Sequence, residues 1–298
     1  MEKVSIIEVS PRDGLQNDPV FIPTVKKSKL IYLLAEAGIN HIEASSFVHP
    51  MKVPQMADAE EVIKSCAVLN DIEITALIPN VKGFERATKF PINEVNWVTA
   101  ATETFNQRNI GISIEDNFKE FTKLKDKIDQ TKMKMCFSIA VSFGCPYEGN
   151  VNPDVVLKLV ERAVEAGADR IGIADTIGIA DPEQTFRLLS RVLEVTGKTP
   201  VAIHLHDTRG LGLTNAYAAF NAGVRIFETS ASGIGGCPFA PGAAGNLATE
   251  DLVYMFNRMS IDTGINFERL LEAADYAASL SSKTPLGRIR QVVRKKII

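Results

Sequence analysis

Cysteine is scarce in this chain: four residues in 298, irregularly spaced and without a CxxC pair. That pattern excludes a disulfide frame and reads as thiols in a reducing compartment. Cys66, Cys136 and Cys145 are expected to pack as small hydrophobes. Charge of either sign is not in excess, with a formal net charge of −3. A nucleic acid or an anionic membrane surface is therefore not the expected main partner. No apolar stretch approaches the ~20 residues of a bilayer span. The opening MEKVSIIEVS puts charges directly before a strand-like run rather than a targeting segment. The expected location is the cytoplasm. No GxGxxG and no P-loop follows the first strand-like run, which removes the usual nucleotide cradles.

What is present is a strand and helix alternation. Hydrophobic residues make up 45% and charged residues 23%, ordinary for a globular chain with a sizeable core. Eight apolar runs of strand length recur: VSIIEV at 4–9, HIEAS at 41–45, IEITALI at 72–78, EVNWVTAA at 94–101, MCFSIAVSF at 135–143, RIGIAD at 170–175, VAIHLH at 201–206 and RIFETSA at 225–231. Several are nearly continuous in Val, Ile and Ala, as in parallel strands buried on both faces. Amphipathic stretches such as TVKKSKLIYLLAEAG, DVVLKLVERAVEAG and LTNAYAAFNAG lie between them. Three of these end at Ala-Gly before a strand, and Gly38, Gly167 and Gly223 suit the left-handed position that closes a helix. Eight such units with right-handed crossovers predict an α/β fold, a (β/α)₈ barrel. A doubly wound open sheet is the alternative. The whole of 1–298 is read as one domain, with the barrel over about 1–245 and a helical extension over about 246–298. The basic tail RIRQVVRKKII reads as a solvated helix.

Histidine is as scarce as cysteine, yet two of the four sit in VAIHLHDTRG. Side chains at i and i+2 of a strand share a face, so His204 and His206 converge. His41 and His49 show no such pairing. In a barrel, chemistry gathers at the C-terminal ends of the strands. Those positions hold Arg12 and Asp13, Glu43, Asp175, His204, His206 and Asp207, then the glycine-rich SGIGGCPFAPGAAGN with Cys237 and Asn246. Asp13, His204, His206 and the Asn246 carbonyl give a mixed nitrogen and oxygen set suited to one Mg²⁺ or Mn²⁺, and zinc fits the ligand types as well. Asp13 alone also fits a type I turn in PRDG. Arg12 beside a cation suits a developing oxyanion; the plainer reading is a surface ion pair. Glu43 and Asp175 are costly to bury unpaired, so they are partners of Arg12 or groups that orient substrate and ligands. Asp207 is expected to cap the following helix. Cys237 is read as catalytic in a loop able to close over substrate, and Cys145 as structural.

SPRDGLQN, HLHDTRG and GGCPFAPGAAGNLATEDLVYM together resemble the 3-hydroxy-3-methylglutaryl-CoA lyase family, as do IEASSFVHP, VPQMAD, FGCPYEG and ADTIG. The resemblance runs from Val4 to about residue 280. It implies a small acyl-CoA substrate, with Asp13, His204, His206 and Asn246 as metal ligands. It implies Arg12 and Cys237 as the catalytic pair, and Glu43 and Asp175 as supporting carboxylates. The implied chemistry is cleavage to acetyl-CoA and acetoacetate, with Arg12 on the enolate oxygen and Cys237 as general acid. The hydroxyl proton falls to His204, or to a water on the cation working with Asp175. Ser10, Ala174 and Phe239 depart from the family pattern, the last two at the acyl pocket.

A lyase for another 3-hydroxyacyl-CoA would share every named residue. A Claisen-type synthase would lack the GGCP loop, and a metal hydrolase would carry more histidine. A non-catalytic scaffold would not be expected to keep the ligands. A homo-oligomer is the expected assembly, and leucine breakdown is one of several acyl-CoA routes that fit.

Overall fold

The computed structural model describes residues 2–236, 245–282 and 284–294. Eight parallel strands close into a barrel in sequence order: β1 Ser5–Glu8, β2 His41–Ser46, β3 Glu73–Ile78, β4 Glu94–Ala100, β5 Lys134–Ala140, β6 Arg170–Asp175, β7 Val201–Leu205 and β8 Ile226–Thr229. β8 returns beside β1, with Ser5 opposite Ile226 and Glu8 opposite Thr229, which seals the cylinder. The barrel expectation is met, and the open sheet is excluded by that last pairing.

Helices α1 (Thr24–Glu36), α2 (Ala59–Cys66), α3 (Val81–Ala87), α4 (Glu103–Asn109), α5 (Ile114–Ile128), α6 (Pro153–Glu165), α7 (Pro182–Thr196) and α8 (Gly212–Ala222) form the crossovers. After β8 come α9 (Thr249–Arg258), α10 (Phe267–Leu280) and α11 (Arg288–Arg294). The Ala-Gly joints behave as their sequence requires: Gly38, Gly167 and Gly223 have φ of 93°, 85° and 114°. A side chain there would be strained, and each position turns a helix into the next strand.

Apolar side chains on the outer strand face pack under the helices. Val95, Trp97, Met135, Phe137, Ile171, Ile173, Ile203, Leu205 and Phe227 are all buried in one continuous core. Burying each such side chain stabilises the fold by about 1.5–3 kcal/mol. The lumen is different. Barrel interiors are usually filled in layers of four by branched apolar residues from alternate strands. Here the even strands contribute His41 (β2), Glu94 (β4), Arg170 (β6) and Glu228 (β8). Arg170 Nη1 donates to Glu228 Oε1 at 2.8 Å, its Nε donates to Glu94 Oε2 at 3.1 Å, and its Nη2 donates to Glu94 Oε1. Only the lumen connects these strands, so the layer is ionic.

Candidate active site

After β1 the chain enters a π-helical turn, Ser10–Gly14, opened by Pro11. The Val9 carbonyl accepts from the backbone N–H of Arg12, Asp13 and Gly14. This wide turn, rather than a type I turn, holds Arg12 and Asp13 over the mouth of the barrel. His204 lies on β7 and His206 one residue beyond it, on the same face. The ligating atoms of Asp13, His204 and His206 all fall within 4.8 Å of one another. The fourth expected ligand arrives on a returning segment. Leu247 N–H donates to the Leu205 carbonyl and Asp207 N–H to the Gly245 carbonyl, which lays Asn246 beside His206.

The hydrogen bonds leave the lone pairs a cation needs. Asn246 Nδ2 donates to Asp13 Oδ2 at 2.8 Å and to the Ile234 carbonyl at 3.0 Å, while its buried Oδ1 has no partner. The Nε2 atoms of His204 and His206 face each other at 3.2 Å, and His206 Nδ1 is buried without a partner. A buried acceptor left unmet costs about 1–3 kcal/mol, so the bare Asn246 Oδ1 beside two converging imidazole nitrogens argues for a bound positive group. The donor set fits a hard divalent cation.

The titrations agree with a site built for positive charge. Burial alone would raise the Asp13 carboxyl, but Arg12 and then the two imidazoles hold it down at about 2. Burial and the neighbouring His204 charge push His206 down to about 3. His204 has the same burial against it, yet its bond to Glu228 and the charge of Asp13 raise it.

Arg12 is held by two carboxylates. Its Nε donates to Glu43 Oε2 at 2.5 Å and its Nη1 to Asp13 Oδ1 at 2.6 Å. Burial opposes the guanidinium charge, and Glu43 and Asp13 overcome it. Glu43 Oε1 in turn accepts from Asn96 Nδ2 at 3.0 Å, and Asn96 Oδ1 accepts from Ser138 Oγ at 2.8 Å. Arg12 is thus no surface ion pair; its fork is fixed over the site.

Asp175 does not pair with Arg12. Its two oxygens accept the backbone N–H of Ile179 and Ala180 at 2.9 and 3.1 Å, which ties down the loop after β6. Burial raises its carboxyl, and the fields of Arg209 and His204 oppose that rise. Asp207 is structural as expected: Oδ1 accepts from Gly212 N–H at the start of α8, and Oδ2 from Arg288 Nη1. Cys145 is buried and accepts from the Thr102 hydroxyl. Cys237 and Phe239 lie outside the described residues.

The sequence reading missed Glu228, Arg170, Glu94, Asn96 and Glu8. Glu8 is fully buried, accepting from the backbone of Ser10 and Ala231 and from Thr249 Oγ1, and so pins the Ser10–Gly14 turn to the segment after β8. For Glu8 and Glu228 the available signal was the one that marked Glu43: a charge inside an otherwise apolar strand.

The HMGL-like family model matches residues 3–276. Over 294 residues the chain is 40% identical to the mitochondrial hydroxymethylglutaryl-CoA lyase of Mus musculus, covering 99% of this chain and 90% of that one. It is 38% identical to the cytoplasmic 3-hydroxy-3-methylglutaryl-CoA lyase of Danio rerio, covering 98% and 87%. A solved HMG-CoA lyase from Acinetobacter baumannii, in complex with coenzyme A and 3-methylmalate, superposes with a TM-score of 0.94 at 39% identity, covering 99% and 97%.

Proposed function

The chain belongs to the HMGL-like family, and from that premise we propose that it cleaves 3-hydroxy-3-methylglutaryl-CoA to acetyl-CoA and acetoacetate. The observation that carries the reading is the cluster of Asp13, His204 and His206 with Arg12 fixed beside it.

Asp13, His204, His206 and the Asn246 carbonyl would hold one Mg²⁺ or Mn²⁺. Such a cation, when bound, acts as a Lewis acid that favours ionisation of the substrate's tertiary hydroxyl. The remaining work falls to the chain. Arg12, fixed beside the cluster by Glu43 and Asp13, is assigned to the thioester carbonyl, where its guanidinium stabilises the enolate oxygen that forms as the C–C bond breaks. Glu43 keeps that guanidinium in place. Both ring nitrogens of His204 are engaged, one toward Glu228 and one toward the cluster, so the hydroxyl proton is assigned to Asp175, whose oxygens each keep a lone pair besides the one that accepts from Ile179 or Ala180. Its burial-raised carboxyl makes it a better base than an ordinary aspartate. Cys237 then delivers a proton to the enolate carbon, completing acetyl-CoA.

We assign the protein to the cytoplasm, in keeping with the buried thiols Cys66, Cys136 and Cys145. The chain is read as one domain, a barrel over about 1–245 with its helical extension over about 246–298.

The test is a direct assay of purified protein with Mg²⁺ and 3-hydroxy-3-methylglutaryl-CoA, following both products. Equal release of acetyl-CoA and acetoacetate, stopped by a chelator, is expected. Folded protein that binds metal but releases neither product would move the assignment to a different 3-hydroxyacyl-CoA. In the same assay Cys237→Ala is expected to lose roughly 10²–10⁴ of turnover, the worth of a general acid. Near-normal turnover would remove Cys237 from the mechanism.

A further inference from the structure

Glu228 projects from β8 into the lumen between Arg170 and His204. Its Oε1 accepts from Arg170 Nη1 at 2.8 Å, and its Oε2 stands 3.3 Å from His204 Nδ1. The residue is 6% exposed. Arg170 is itself held by Glu94 through two bonds, so the carboxylate of Glu228 has little freedom. An acceptor fixed at Nδ1 does two things to His204. It sets the ring plane, and it keeps the proton on Nδ1, so that Nε2 presents a bare lone pair toward Asp13 and His206. A negative partner also makes that lone pair a stronger donor. His206 has no such support, because its Nδ1 is buried without a partner.

We propose that Glu228 is a positioning residue: it orients His204 for the divalent cation and makes His204 the anchored ligand of the pair. This rests on the metal-site reading above. The partner of Glu228 on its other side, Arg170, passes the anchoring on to the ionic layer below, away from substrate.

The experiment is Mn²⁺ binding to the purified full chain, read from the electron paramagnetic resonance signal of free Mn²⁺, in wild type and in the Glu228→Gln, Glu94→Gln and His206→Ala variants. Glu228→Gln keeps the shape but loses the charge and is expected to bind Mn²⁺ roughly 10- to 100-fold more weakly. Turnover in that variant should recover as Mn²⁺ is raised. Glu94→Gln disturbs the same arginine without touching His204 and is expected to bind Mn²⁺ like wild type. Wild-type affinity in Glu228→Gln would overturn the proposal. So would an equal loss in Glu228→Gln and Glu94→Gln, which would mean that only the ionic layer matters. Wild type indistinguishable from His206→Ala would instead sink the metal-site reading, and the proposal with it. Should Glu228→Gln fail to fold, the imidazole ¹⁵N spectrum of Mg²⁺-loaded wild type decides: the proposal requires the His204 proton on Nδ1, and a proton on Nε2 overturns it.

Discussion

Two polar centres share the lumen of this barrel, and they differ in how completely they are satisfied. In the lower one every charge has its partner: Arg170 bridges Glu94 and Glu228, and Thr75 Oγ1 links Glu94 to His41. In the upper one Asn246 Oδ1 and His206 Nδ1 are buried and unmet, and two imidazole nitrogens point at each other. Burial is similar in both. What separates them is that the lower centre, apart from the reach of Glu228 to His204, is satisfied by its own side chains, whereas the upper is completed only by something added. A buried ionic cluster closed on itself holds structure, and one left open holds a ligand. Substitutions in the two centres should therefore be read by different instruments.

The largest effect should fall on ligand binding in the upper centre. His206→Gln keeps most of the volume and a polar group, so its cost in stability should be about 1 kcal/mol or less, at the small end for point changes. Metal binding should fall below detection in the same titration that saturates wild type. A variant that bound metal normally would make His206 an ordinary buried imidazole and erase the contrast.

In the lower centre the effect should be on the fold. Arg170→Met removes the single cation between two buried carboxylates, and breaking such a pair costs about 3–5 kcal/mol. Urea unfolding should show that loss in metal-free protein as well as in loaded protein. If the loss appeared only in the presence of metal, the ionic layer would belong to the site rather than to the scaffold.

The sequence showed the upper centre far better than the lower, for a physical reason. His204 and His206 are two residues apart on one strand, and a period of two fixes their common face without knowledge of the rest of the fold. Asp13 follows once the barrel is assumed, because it lies just past the end of β1, and Asn246 because it belongs to the segment that follows β8. Gly38, Gly167 and Gly223 announced the joints, since the left-handed backbone they adopt is a local property. Glu94 and Arg170 open their strands, where a charge normally meets solvent. Only closure of the sheet, with β8 against β1, turns even-numbered strand positions toward one another across the lumen. Glu228 needs the rolled sheet to reach Arg170 across β7, whereas His204 is its direct neighbour in register on the adjacent strand. Partners brought together by ring closure have no signature in sequence spacing. Asp175 shows the converse limit: its position was legible, but its use in tying backbone N–H groups of its own loop was not.

Another buried carboxylate tests whether an unmet atom always signals a ligand. Glu250, at the start of α9, accepts from Ser232 N–H with Oε2, while Oε1 is buried without a partner. No imidazole converges on it, and burial raises its carboxyl to about 8, with Asp251 and Glu8 adding to the rise. Its lone oxygen is explained by a proton rather than by a cation. Because the folded value lies above the ordinary 4.5, the native state keeps a proton that the unfolded chain releases. The stabilising contribution is whole below about 4.5 and is lost as pH rises toward about 8. Within that window the slope is at most about 1.4 kcal/mol per pH unit. Glu250→Gln keeps the neutral shape at every pH, so its urea midpoint should decline less than that of wild type from pH 5 to about 8, with the curves converging at the acid end. Parallel curves would mean that Glu250 is ionised in the fold, and its unmet oxygen would then ask for a cation just as the rim does.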